Sequence, residues 1–301
     1  MLLSRFFSPF LCAAGLCLVT ALHAQQVRSS DAEIERALRH ATPEWQLVAD
    51  HLPDPVTASE SSLEIQGDVL QARRMPEDAL EYYAYALKRG GGDQARIFRH
   101  MGVSQLQLHR PELARACFRR AIELKKKDAE AWNNLGASEF MVRDVKSSIP
   151  DYKHAIKINK KNPIYHANLG TAYFELRSYE DAREQFAIAS KLDPDVFRRG
   201  GWGGTQVEVL STQERGRFCF EMATLAARTR NDVATLEWLG KAAEAGFDVK
   251  TALRGERDFD GYRKDPRIAL LLSNARAMRG KQVTVSEAIP TLPALGGSTQ
   301  R

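Results

Sequence analysis

Glycine falls almost in step along this chain, at Gly67, Gly102, Gly136 and Gly170, with intervals of 35, 34 and 34 residues. Twelve residues after each comes a small side chain: Ala79, Ala114, Ser148 and Ala182. Four further on stands an aromatic, Tyr83, Phe118, Tyr152 or Phe186, and three beyond that an alanine, Ala86, Ala121, Ala155 or Ala189. A period of this size predicts stacked helix pairs, and it constrains the fold before any local reading. Glycine and alanine at fixed columns let two helices approach closely, and the aromatic fills the gap between them. Leu169, Tyr173 and Leu176 recur at helical spacing, as do Ala182, Phe186 and Ala189 on the partner helix. Turn residues sit between the helices at Met75-Pro76-Glu77, Arg110-Pro111-Glu112 and Arg177-Ser178-Tyr179. Proline suits the first helical turn, where the backbone N–H has no intrahelical partner. Pro150 lies deeper, which predicts a late start or a kink in that helix. One helix pair buries too little surface alone, so neighbours must stack.

These columns resemble the tetratricopeptide repeat, whose pattern is W-x2-L-G-x2-Y, then A-x3-F, then P. The fourth unit matches best, through Leu169-Gly170, Tyr173, Ala182, Phe186 and Pro194, with His166 where Trp is usual. The third has Trp132, Leu135 and Gly136, but Glu139 replaces the Tyr and Ser148 the Ala. Units are placed at 60–93, 95–128, 129–162 and 163–196, with a degenerate fifth at 216–249 through Thr235, Leu239 and Ala242. The resemblance implies an all-α fold, a right-handed α-solenoid of about five helix-turn-helix units with helical caps. Residues 25–59 are a helical lead-in, 197–215 a Gly-rich insertion, and 250–280 a C-terminal cap carrying Asp258-Phe259-Asp260 and Asp265-Pro266. Residues 281–301 hold Pro, Gly, Ser and Thr with little pattern and read as a disordered tail.

Residues 1–24 read as an export signal: Arg5, then a largely apolar run from Phe6 to Leu22, with Ala24 before a cleavage point. An uncleaved anchor is the alternative, although the run is short for a full span. The expectation is a periplasmic or secreted protein. Without residues 1–24 the count is 42 Lys and Arg against 38 acids, a net +4. That mild excess, with Lys125-Lys126-Lys127 and Lys160-Lys161 at predicted helix ends, suits dipole complementation rather than a nucleic-acid track. Cys117 and Cys219 fall in different units, which speaks against a disulfide.

Motifs for catalysis are missing: there is no HExxH, CxxC, GxSxG or phosphate loop, and no histidine pair at i, i+4 to hold a metal. No cofactor is expected, and the reading is non-catalytic. In the family, the first helices line a concave face that holds a peptide or protein partner. On this sequence those positions are Arg99, Val103 and Leu106; Asn133, Ala137 and Phe140; Ala167, Thr171 and Phe174. Asn134 and Asn168 share one column, which His100 occupies in the second unit. In some relatives such asparagines hold a peptide backbone, since an amide both donates and accepts. A clamp for a terminal carboxylate is not supported, because Ile164 and Asn168 stand where it needs cations. Trp202, within the Gly-rich insertion, is a loop contact candidate. Two other readings stay open: an enzyme or ligand-binding protein with a site near 197–215, or a structural part of an envelope assembly binding by its convex face.

Overall fold

The computed structural model describes residues 31–197 and 211–287. The export-signal segment, Trp202 with most of the Gly-rich insertion, and residues 288–301 lie outside the described residues. Among the described residues the architecture is helical throughout, without strands. Helix α1, described over residues 31–40, and α2 (Pro43–Ala49) lead into five helix pairs. The pairs are α3 (Glu60–Ala72) with α4 (Pro76–Arg89), α5 (Gln94–Gln107) with α6 (Pro111–Leu124), and α7 (Ala129–Met141) with α8 (Val145–Ile158). They continue as α9 (Pro163–Glu175) with α10 (Tyr179–Leu192) and α11 (Thr212–Arg228) with α12 (Asp232–Glu244). A short α13 (Val249–Gly255), a 3-10 turn (Arg257–Phe259) and α14 (Pro266–Glu287) close the C-terminal end. Helix α14 continues to Glu287, past residue 281 where the sequence pattern stops. None of the described helices is long and apolar enough to cross a membrane.

Local chemistry starts and stops these helices. Asp93, Asp128, Asp144 and Asn231 cap α5, α7, α8 and α12 by accepting from backbone N–H groups of the first turn. Ser211 and Glu214 form a reciprocal capping box on α11. Between the helices of each pair a single residue turns left-handed: Arg74, His109, Arg143, Arg177 and Arg230. Each is followed by a backbone bond reaching back five residues, such as Ser178 N–H to Tyr173 O at 3.0 Å. This is the glycine-type helix stop, here made by arginine and histidine. Helix α8 does not start late at Pro150. It runs from Val145, because Asp144 caps it through Ser147 N–H and the proline ring points to solvent.

Packing follows the columns. A Cβ on Gly170 would lie 2.5 Å from Phe186 Cε1, so only glycine lets that ring close the gap between α9 and α10. Tyr83, Phe118, Tyr152 and Phe186 are all fully buried, each contributing about 2–3 kcal/mol of apolar burial. His166 in the Trp column packs as expected, buried, with its ring nitrogens bonded to Gln185 and Lys160 O. Each paired helix touches its own partner most, and the second helix of one pair then packs on the first helix of the next. The fourth and fifth pairs meet less extensively than the others, on either side of residues 198–210. Cys117 and Cys219 are free thiols. The chain is thus an all-α solenoid of stacked helix pairs.

Candidate functional site

Successive first helices α3, α5, α7 and α9 touch each other, which puts them on the inner side of the curve. That face is knitted by side chains reaching one pair ahead. Arg96 forms a two-pronged ion pair with Glu64, its Nη2 lying 2.7 Å from Oε2. His100 Nδ1 lies 2.6 Å from Asp68 Oδ1, and the Tyr83 hydroxyl donates to the same oxygen at 2.7 Å. Burial works against the Asp68 charge, but the His100 and Tyr83 contacts outweigh it and hold its carboxyl below the ordinary range. Gln71 donates to Ser104 Oγ at 2.7 Å and to His100 O at 2.9 Å. Arg99 pairs with Asp128 and Glu130 at 3.3 and 2.6 Å. Further along, Asn168 donates to Asn133 at 3.0 Å, and Asn133 to Asn134 at 3.2 Å.

The predicted contact residues divide sharply. Phe140, Asn133, Asn168, Thr171 and Phe174 are all at most 5% exposed. Phe140 packs with Tyr152 and Leu169, and Phe174 meets Tyr179 and Phe218 edge-on. Thr171 donates to Ala167 O within its own helix. In the third and fourth units the i, i+4, i+7 stripe is therefore covered by packing rather than open to a partner. The two-rung asparagine ladder is a link between repeats, because the buried Asn168 needs an amide partner and Asn133 supplies it. Leu106 packs against the Phe118 cluster. Arg99, His100 and Asn134 remain part-exposed. Glu64, Asp68 and Arg96, in the first two pairs, were not among the sequence candidates, and the Arg96 and Asp68 side chains are 49% and 45% exposed. The regular phase of these positions with Arg99 and Asn133 was the available signal.

Glu64, Asp68 and His100 also bring potential metal-ligand atoms within 4.8 Å of one another. Arg96 and Tyr83 already engage both carboxylates, so the cluster is internally balanced.

A second polar centre lies away from this face. Glu139 stands in the family's Tyr column and leaves an open pocket of about 440 Å³, lined by Arg119, Ile122, Trp132, Pro150 and Asp151 among others. Glu139 Oε2 and the Tyr152 hydroxyl are buried without a hydrogen-bond partner among the described residues. Burial first, then the neighbouring Glu139 carboxylate, pushes the Asp151 carboxyl up to about 7. Arg115 and Arg119 stand 3.7 and 3.5 Å from Glu139 and pull the other way only in part.

The tetratricopeptide repeat family model matches residues 99–163. No curated protein matches the chain. Among solved structures it is similar to YrrB, described as a TPR protein with an unusual peptide-binding site (17% identity, 71% of this chain and 98% of that one, TM-score 0.43). It is also similar to MamA residues 41–end from Desulfovibrio magneticus RS-1 (17% identity, 65% and 97% covered, TM-score 0.45). A third is Cut9–Hcn1 of the APC/C (14% identity, 72% and 36% covered, TM-score 0.45).

Proposed function

We propose that this protein is a non-catalytic scaffold or adaptor of the cell envelope that holds a peptide or protein segment along the inner face of its first helices. The observation that carries the reading is the row of part-exposed groups on that face: Asp68, Arg96, Arg99, His100 and Asn134. Charged heads and an amide spaced one pair apart suit an extended backbone with polar side chains. The envelope assignment rests on residues 1–24 alone. The test is photo-cross-linking in an envelope extract, with the reactive group at Asn134 or, as control, at the outer lysine Lys146. Asn168 is unsuitable, since its loss would disturb stacking. A specific partner captured from Asn134 and lost on Arg96→Ala/Arg99→Ala supports the groove. Capture from Lys146 alone moves binding to the convex face, and reproducible turnover of a small molecule by the purified protein sinks the non-catalytic reading.

A further inference from the structure

The two ends of the stack carry surfaces that complement each other. At the N-terminal end, every residue from 31 to 38 in α1 is exposed. The helix is fastened to α4 by one side only, through Arg36 to Glu81 at 2.9 Å, Arg39 to Asp78 at 3.4 Å and His40 to Asp78 at 2.8 Å. At about 100° per residue, the opposite side presents Asp31, Ile34, Glu35 and Leu38, an i, i+3, i+4, i+7 stripe. Ile34 and Leu38 are 59% and 67% exposed. Neither Asp31 nor Glu35 forms an ion pair with a described residue.

At the C-terminal end, α12, α13 and α14 enclose an open groove of about 820 Å³. Its floor is apolar, formed by the buried Val249, Leu253 and Ile268. Its rim is basic: Lys250 and Arg254 one turn apart on α13, then Lys264 and Arg276. All four are exposed, and none forms an ion pair with a described residue. The rim acids are already used, Asp248 capping α13 and Asp265 holding Arg267. Asp248 stays charged and offsets part of the Lys250 and Arg254 charge, so the groove has a net positive rim over an apolar floor.

We propose that the α1 stripe of one copy docks in the C-terminal groove of a second copy. Ile34 and Leu38 meet the apolar floor, while Asp31 and Glu35 meet Lys250 and Arg254. The ten described residues of α1 span about 15 Å, a length suited to the i, i+3, i+4, i+7 mode of helix-in-groove binding. Four helix pairs and α11 separate the two surfaces, so a chain cannot close on itself. Residues 288–301 contain no Asp or Glu to answer the basic rim. Because the two surfaces differ, the contact is head-to-tail and repeats into a ring or a filament.

Sedimentation velocity on the purified protein tests this. The expected result is a mass that grows with protein concentration at about 0.05 M salt and falls toward the monomer at about 0.5 M, as screening shortens the reach of the charges. Asp31→Lys/Glu35→Lys and Lys250→Glu/Arg254→Glu should each weaken self-association at least about tenfold. Leu38→Asp should do the same without touching the charge pairs. All these positions are exposed, so circular dichroism should stay unchanged. Mixing the two charge-reversed variants, or placing all four substitutions in one chain, should restore assembly. A monomer at all concentrations, association indifferent to both reversals, or failure of the four-substitution chain to reassemble overturns the proposal. Binding of an acidic peptide or of anionic phosphatidylglycerol vesicles to the groove without self-association overturns it as well, and assigns the groove to that occupant.

Discussion

The joint between the first and second helix pairs is held by charge, whereas the joint between the fourth and fifth is held by rings. At the first, Arg96 grips Glu64 from a position half open to water. At the last, Phe218 lies 5.3–6.2 Å from Phe174, Phe186, Phe197 and Trp238, nearly all at right angles. An ion pair between water and protein contributes about 0–1 kcal/mol, while a buried aromatic edge contact adds about 0.5–1.5 kcal/mol beyond its area. The charged joint therefore sets register and leaves polar groups on the inner face. The aromatic joint supplies cohesion where the backbone contact between pairs is thinnest. One buried ion pair reinforces it: Arg183 and Glu221, both under about a tenth exposed, with Arg217 on the other carboxylate oxygen at 2.6 Å.

The largest expected effect is at the aromatic joint. Phe218→Ala should lose about 3–5 kcal/mol in chemical denaturation, and a loss below about 1 kcal/mol would break the contrast. Solenoids unfold as neighbouring units, so the loss should appear as early melting of the C-terminal pairs. Next comes Arg183→Met, which strips one of two cations from the buried Glu221 and should cost about 2–4 kcal/mol. The double change Arg183→Met/Glu221→Leu should recover most of that, and equal losses in single and double variants would show that volume, not charge, matters there.

A smaller, pH-dependent effect belongs to the middle of the stack. The Asp151 carboxyl is raised in the fold from the ordinary aspartate value of 3.8 to about 7. The folded state thus resists ionising it, so this group's stabilising contribution is full below about pH 4 and is lost as pH rises through about 7. Asp151→Asn removes that loss. The variant should gain on the parent protein between pH 4 and 8 by about 1 kcal/mol, allowing for partial solvent screening. Thermal melts across that range check it, and a constant offset would mean Asp151 does not titrate there. A comparable effect is Arg96→Ala, which leaves the buried Glu64 carboxylate without its two-pronged partner and should cost about 1–2 kcal/mol, somewhat less at about 1 M salt because the guanidinium itself is half open to water. A larger, salt-insensitive loss would make the charged joint as cohesive as the aromatic one.

Much of the fold is legible in the chain because Gly102, Phe118 and their equivalents must lie in contact whatever else the molecule does. The left-handed stops at Arg143 and Arg177 are not legible, since that conformation usually announces itself through glycine and here does not. The inner-face positions were legible as a period but not as a surface. Phe140 and Phe174 stand at the same helical phase as Arg99, yet they are core while Arg99 reaches a charged neighbour. Residue type decided part of that, and the proximity of the next pair decided the rest.

By itself, then, the sequence determined that this protein is a row of helix pairs, because local periodicity and close approach of small residues to rings need only neighbouring turns of chain. Tertiary structure alone decided which groups meet across pairs. Arg96 and Glu64 are 32 residues apart, Asn168 and Asn133 35, and Arg183 and Glu221 38. Their meeting depends on the angle and spacing at which one pair settles on the next, set by the summed packing of all the side chains between them.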